Sequence, residues 1–475
     1  MTERALVDEA DDDAPRSILA IRLMLGCAAV FALLKIVYLV RAVVPVDDAT
    51  FHVVRGSDTP TYLDASKLSI FSKAFYQAPG PFGFLVLMKL VARNLRALVI
   101  VQTLLSIVAW CALAMSVRSA MTTATARLVG FAGVLLTGLA PAFAMWEVAT
   151  GTESLAITVA VVALALGIRL AVRIDNRTVV AFVAAMVVAA FTHDIDAIIA
   201  GGLGLVALGA IVVPRWRHLH LRRLLASALV LLSAAGAETA LSNAGRRWYW
   251  PVAETLTLRI AASPDGYRWL VAHGMPDDGA VRALQANYFL TYPGFQDNAP
   301  AYRALRHWLD AKGRSSYTNY LVSHPKFVLT EPRHSLADQF TPNVAPIATA
   351  QHIGADPVMR WLGAVGLPGF RGTLWWAIAA GACFLAAFTD PAARKRRRLG
   401  LTIAAIALIV VPHALAVFHG DYLELARHSL TLAVQARVVV WIATAFALDV
   451  LVMRCRGRRP SPRASIGDGV ATPSM

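Results

Sequence analysis

The sequence predicts an all-α polytopic membrane protein, and three observations carry that prediction. The chain of 475 residues is 57% hydrophobic, with a mean hydropathy of +0.56. It is 16% charged, against about 25% in soluble domains. Apolar runs of roughly 17–25 residues recur along it, the length a helix needs to cross a bilayer. The net charge of +15 does not indicate nucleic-acid binding, because the arginines cluster at the ends of the apolar runs. Cys27, Cys111 and Cys383 fall inside those runs and Cys455 in the tail, so neither a disulfide framework nor a metal-ligand spacing is expected.

Residues 1–16 are acidic, and Ser17–Val44 is too long for a signal-peptide core, so the first run is expected to be a retained span. Nine more follow: Ala97–Val117, Leu128–Met145, Ser154–Val172, Thr178–Phe191, Ile195–Val213, Leu224–Leu241, Thr373–Thr389, Leu399–Phe418 and Ser429–Met453. Thr178–Phe191 is too short to cross alone at about 1.5 Å per residue. It is expected to form a bent hairpin with the next span, with residues 192–196 at its tip. The domain reading is a cytoplasmic tail over 1–16, a transmembrane module over 17–241 with a first outer loop at 45–96, an extracytoplasmic segment over 242–372, helices over 373–453 and a disordered tail over 454–475.

Arginines set the orientation. One set of connections holds Arg118 and Arg127, then Arg169, Arg173 and Arg177, then Arg215–Arg223, then Arg394–Arg398 and the tail. The alternate connections hold Glu147 and Glu153, Asp194 and Asp196, and Asp421 and Glu424. The arginine set is expected to be cytoplasmic, with both termini inside a plasma membrane. This sorting requires Pro79–Val91 to be an interfacial helix rather than a span. The segment 242–372 then lies outside, with helix-like stretches at Ala301–Ala311 and Ser316–Val328 broken up by Pro325, Pro332, Pro342 and Pro346.

Chemistry-bearing residues collect in the outer connections. Asp58 sits in Gly56-Ser57-Asp58-Thr59-Pro60, a turn that can open a short helix through Lys67; it can cap that helix or act as a general base. Asp47 and Asp48 can mark the entry into water or bind a divalent cation. Glu147 and Glu153 bracket a short outer turn, where Gly151 or Thr152 can cap the next helix. His193, flanked by Asp194 and Asp196, can shuttle protons, hold a metal or simply be solvated. Arg427 is the one basic residue of the short outer turns; it can hold a phosphate, or Asp421 or Glu424 can neutralise it. Arg437 lies within an apolar span, so it should face the bundle or snorkel.

Taken in order, these segments resemble the GT-C glycosyltransferases, the superfamily of protein O-mannosyltransferases and related bacterial enzymes that use polyprenyl-phosphate sugars. The likeness lies in a first span followed by a loop bearing Asp58 and Tyr62, then Ala78-Pro79-Gly80-Pro81-Phe82, Gln102–Arg118, Thr152-Glu153-Ser154 opening a span, and an outer Asp421-Tyr422 and Arg427-His428 turn. Thr192-His193-Asp194 departs from it, standing where relatives often have a basic residue followed by proline. The resemblance implies that a polyprenyl-phosphate-linked sugar enters from the outer leaflet and is transferred with inversion to an extracytoplasmic acceptor, which can be a glycan, a lipid or a protein. It places the base on Asp58, with Asp48 in reserve. It places the phosphate on Arg427 and next on His428, Lys67 or Arg55, with Tyr62, Glu153 and His193 completing the substrate site. No bound cofactor is expected, though a divalent cation can join. The expected partners are the lipid-linked sugar, the acceptor and membrane lipid, with no nucleic acid. The competing readings are a lipid-linked polysaccharide polymerase or ligase, a polyprenyl-lipid or solute transporter, and an inactive relative acting as an assembly partner.

Overall fold

A computed structural model describes residues 14–43, 54–55, 59–78, 80–278, 281–282, 299–341, 361, 369–420 and 425–457. The chain forms helices α1 (Ala14–Val43), α2 (Thr59–Lys67), α3 (Lys73–Tyr76), α4 (Phe82–Leu90), α5 (Leu95–Ala120), α6 (Ala124–Leu139), α7 (Pro141–Glu147), α8 (Thr152–Val172), α9 (Asn176–Thr192), α10 (Asp194–Val212) and α11 (Pro214–Ala244). The middle segment follows with α12 (Tyr249–Glu254), α13 (Pro264–Ala272), α14 (Arg303–Trp308), α15 (Arg314–Ser323), α16 (Pro325–Thr330) and α17 (Leu336–Phe340). The chain returns to the bundle with α18 (Phe370–Thr389), α19 (Arg397–Gly420), α20 (Leu425–His428) and α21 (Leu430–Gly457). Strands β1 (Val54–Arg55) and β2 (Ala149–Thr150) form a two-residue parallel pair.

All ten expected apolar segments are helical. Among the described residues eight helices are long and apolar enough to cross a membrane, and a ninth span results if α6 and α7, bent by 60°, count as one. The tenth, α9, has 17 residues and meets α10 at His193, which gives the expected hairpin. The bend has a local cause. Pro141 cannot continue the hydrogen-bond ladder of α6, so the helix ends at Leu139 and restarts in a new direction.

Pro79–Val91 is not a span. Its helix, α4, has nine residues, about 13 Å at 1.5 Å per residue. It buries Phe84, Leu85 and Met88 against α2, whereas Leu90 is exposed. Ala92 and Arg93 then adopt φ of 51° and 62°, a left-handed turn unusual without glycine, and Asn94 caps α5.

The main core joins α1, α5, α6, α7 and α8 to α21, around Trp110, Phe143 and Phe446. Close approach is specified at Gly133, where an added Cβ would lie 2.3 Å from the Trp441 ring. The middle segment has its own core of Leu256, Leu270, Leu305 and Leu309. It is clamped to the end of α19: Arg259 donates to the Phe418 carbonyl at 2.6 Å and Tyr317 to the His419 carbonyl at 2.6 Å. The expected helix Ser316–Val328 is split at His324, because Pro325 opens a new helix.

Two sets of connections meet at opposite ends of α21. At one end Asp449 accepts from the backbone of Thr122 (3.0 Å) and Thr123 (2.7 Å) and pairs with Arg396 of the arginine cluster. At the other, the turns bearing Glu153, His193 and Arg427 meet.

Candidate functional site

The site is built where three distant connections converge. The first turn of α8, just after β2, supplies Glu153, the α9–α10 junction supplies His193, and α20 supplies Arg427 and His428. Glu153 accepts a charge-assisted hydrogen bond from Arg427 Nε, across 274 residues of sequence. His193 Nε2 lies 2.8 Å from His428 Nδ1, with ring centroids 5.1 Å apart. Because Arg427 and His428 are neighbours, the two pairs form one cluster.

Local structure explains Glu153. Gly151 caps α8 without a side-chain bond, and a Cβ there would fall 2.3 Å from Glu153 Oε2. Glycine therefore lets the carboxylate fold back over its own turn. Gln102 of α5 holds that turn by donating to the Gly151 carbonyl at 3.3 Å. The turn is dry: residues 143–150 are all buried, and Glu147 and Glu153 are 1% and 4% exposed. The bend at Ala140 folds this turn into the bundle, and buried carboxylates need partners. Glu147 has Lys35 of α1 and the Ser106 hydroxyl as donors.

Arg427 pairs with Glu153; Asp421 and Glu424, the acids considered as its neutralising partners, lie outside the described residues. Burial first, and then the neighbouring His428, pushes the His193 imidazole down to about 3, so at neutral pH it is an uncharged ring. Its Nδ1 is buried and has no partner among the described residues.

The other residues singled out from sequence distribute as follows. Tyr62 is buried edge-on to Phe84 and packs over Gly80. Lys67 pairs with Asp64 at 2.6 Å on the exposed surface and does not join the cluster. The Arg55 backbone is paired in register with Thr150; its side chain, Asp47, Asp48 and Asp58 lie outside the described residues. Asp194 accepts from Ser242 (3.1 Å) and pairs with Arg247 (3.3 Å), which also binds Glu238. Asp196 is buried. Arg437 faces inward at 1% exposure and donates to the Phe340 carbonyl at 2.9 Å. Among the described residues no group of three or more His, Cys, Asp or Glu is placed to hold a metal.

Sequence reasoning missed Lys35, Gln102, Ser106, Glu238, Arg247 and Gln339. Lys35 and Glu238 carried a usable signal, since each is a charge inside an apolar run and such charges are expected to be paired. Compared with known proteins, the chain matches no family model and no curated protein.

Proposed function

We propose that the protein is an integral membrane glycosyltransferase that moves a sugar from a polyprenyl-phosphate donor to an extracytoplasmic acceptor. The observation that carries this reading is the convergence of Glu153, Arg427, His193 and His428 at one end of the bundle. The β1–β2 pair ties the first loop, which bears Asp58 three residues after Arg55, to the turn three residues before Glu153.

In this reading Asp58 takes the acceptor hydroxyl proton as general base. The acceptor oxygen bonds to the anomeric carbon from the face opposite the phosphate. The carbon–oxygen bond to the phosphate breaks, the configuration inverts and the lipid phosphate leaves. Arg427 holds that phosphate. Glu153, bound at Nε, fixes the plane of the guanidinium, which suits a geometry-sensitive anion contact. His193, neutral and hydrogen-bonded to His428, sets the orientation of the second ring.

The test is transfer from a panel of polyprenyl-phosphate sugars in proteoliposomes. Asp58→Asn and Arg427→Ala should each remove transfer while leaving a monodisperse protein. Wild-type activity in both variants would sink the proposal.

One observation favours a second reading, a transporter of a polyprenyl lipid or solute. The α6–α7 break places Glu147 and Lys35 within the bundle, and broken helices with buried charge are common in transporters. Movement of a labelled polyprenyl lipid across vesicles, with no transfer from any donor, would select that reading.

A further inference from the structure

Arg247 follows α11 and turns back over it. Gly245 caps α11, Arg246 adopts a φ of 53°, and the Arg247 amide donates to the Ser242 carbonyl at 3.0 Å. This reversal aims the guanidinium at the end of α11, where the side chain is 7% exposed. It is anchored there on three elements. Nη2 pairs with Glu238 of α11, itself buried. The same nitrogen lies 3.3 Å from Asp194, the first residue of α10. Nη1 donates to the Gly80 carbonyl, just before α4, at 3.1 Å.

The Gly80 anchor carries the first outer loop with it. An added Cβ at Gly80 would lie 2.8 Å from the Tyr62 ring of α2, so the loop and α2 are in close contact at this point. Helices α2 and α4 are in turn one unit. Lys89 of α4 donates to the Ser66 carbonyl at 2.9 Å and to the Leu68 carbonyl at 2.6 Å, closing the C-terminal end of α2. Tyr62 and Phe84 meet edge to face with ring centroids 5.2 Å apart. The first residue of α2, Thr59, follows Asp58 in the chain.

The Asp194 anchor belongs to the other half of the site, since Asp194 follows His193, whose ring meets His428. The two halves also touch through packing. Phe82 lies 5.8 Å from Phe191, and a Cβ on Gly83 would fall 3.0 Å from the Phe191 carbonyl oxygen. Apolar contact is non-directional. A forked, charge-assisted donor fixes both distance and direction, which a lysine point charge does not.

We propose that Arg247 is a positioning residue of the transfer reaction: by joining Gly80, Asp194 and Glu238, it holds the α2–α4 unit in register with the His193–His428 pair. It acts through the elements it joins and not by contact with substrate. The effect on rate rests on the transferase reading; the effect on local opening does not.

The experiment pairs amide hydrogen exchange in detergent with transfer kinetics in proteoliposomes, both on the purified full chain. Arg247→Met should raise exchange about tenfold over Thr59–Lys67 and Phe82–Leu90, a local opening that leaves α6 unchanged. Its kcat should fall about a hundredfold, the scale of a ~1 Å misplacement, with KM for the lipid-linked donor changed less than about twofold. Arg247→Lys, which keeps the charge but not the fork, should fall between, and it serves as the test variant should Arg247→Met not fold. Arg247→Met combined with Glu238→Met removes the buried pair whole; it should recover the melting temperature but not kcat. A double variant that recovers both would make Arg247 a stabilising residue only and overturn the proposal. So would unchanged exchange over Thr59–Lys67 in the single variant. Wild-type protein that transfers from no donor would remove the transferase reading alone, and the exchange measurement would then decide whether Arg247 holds the loop.

Discussion

Two ionic clusters, one at each end of the bundle, look alike in sequence and differ in how completely they are satisfied. At the arginine-rich end Asp449, fully buried, is bonded by two backbone N–H groups, the Thr122 hydroxyl and Arg396. Each of its partners belongs to the connections it pins, and the cluster closes on itself. At the other end Glu153 is buried and Arg427 partly buried, 274 residues apart in sequence, yet His193 Nδ1 and the Ser154 hydroxyl remain without partners among the described residues. A closed cluster spends its hydrogen-bonding capacity on the fold. An open one keeps capacity for a ligand, and buried polar groups left unmet mark places where binding gains energy.

The sharpest way to break that comparison is at the closed cluster. Asp449→Ala leaves Arg396 and several N–H and O–H donors without their acceptor. Removal of one partner of a buried pair typically costs about 3–5 kcal/mol. The expected outcome is a large loss of thermal stability in detergent, with transfer per folded molecule unchanged. Lost transfer at wild-type stability would reverse the roles of the two ends.

Lys35–Glu147 tests whether burial alone makes a pair functional. It sits between α1 and α7 with Ser106 as a third member. Lys35→Met should destabilise by about 3 kcal/mol, because Glu147 is left buried without its cation. Lys35→Met combined with Glu147→Leu should recover most of that loss, since apolar replacements of a whole buried pair are often neutral. Denaturation midpoints of the two variants decide it; a double variant as weak as the single one would show that Glu147 has work beyond pairing.

At the open cluster the effect should fall on activity. Arg427→Lys keeps the charge opposite Glu153 but removes the planar fork. Transfer should fall about a hundredfold, equivalent to about 2.7 kcal/mol, with a stability change under about 1 kcal/mol. Initial rates and melting temperature on the same preparation check both halves.

The helices of this protein were legible because hydropathy reports them directly, and the boundaries followed where a single residue enforces them. Pro325 splits one helix, the α9–α10 hairpin bends at His193, and the short helix after Asp58 ends at Lys67. Depth was not legible. Glu147 and Glu153 read only as bracketing a short turn between two apolar runs, and nothing local states that Pro141 turns that connection inward. Partner choice was hidden for the same reason. Arg427 has two acids within six residues, yet its described partner is 274 positions away. Lys35 was readable as a charge in an apolar helix, but its mate was not, since pairing depends on how α1 packs on α7. Gln339 had no signal at all; an amide becomes informative once its surroundings are known to be dry.

The smallest effect expected is also the one specific to the open cluster. His193 titrates at about 3 when folded because it is buried and beside His428, with Asp194 and Glu153 opposing and Arg427 adding to the shift. In the unfolded chain its value returns to about 6.5. Between these two values the unfolded chain binds a proton that the folded chain does not, so stability rises with pH across that window. The His193 contribution is intact above about pH 6.5 and is progressively lost as pH falls toward about 3. At pH 5.5 the loss should be about 1.4 kcal/mol. Carboxylates titrate in the same range, so the wild type is compared with His193→Gln, which keeps a polar group opposite His428 but cannot charge. The wild type should lose more melting temperature than the variant between pH 7 and pH 5. Parallel curves would mean that protonated His193 is accommodated by Asp194 and Glu153. In that case the open cluster would tolerate an added positive charge rather than exclude one, and a neutral His193–His428 pair would no longer describe the resting site.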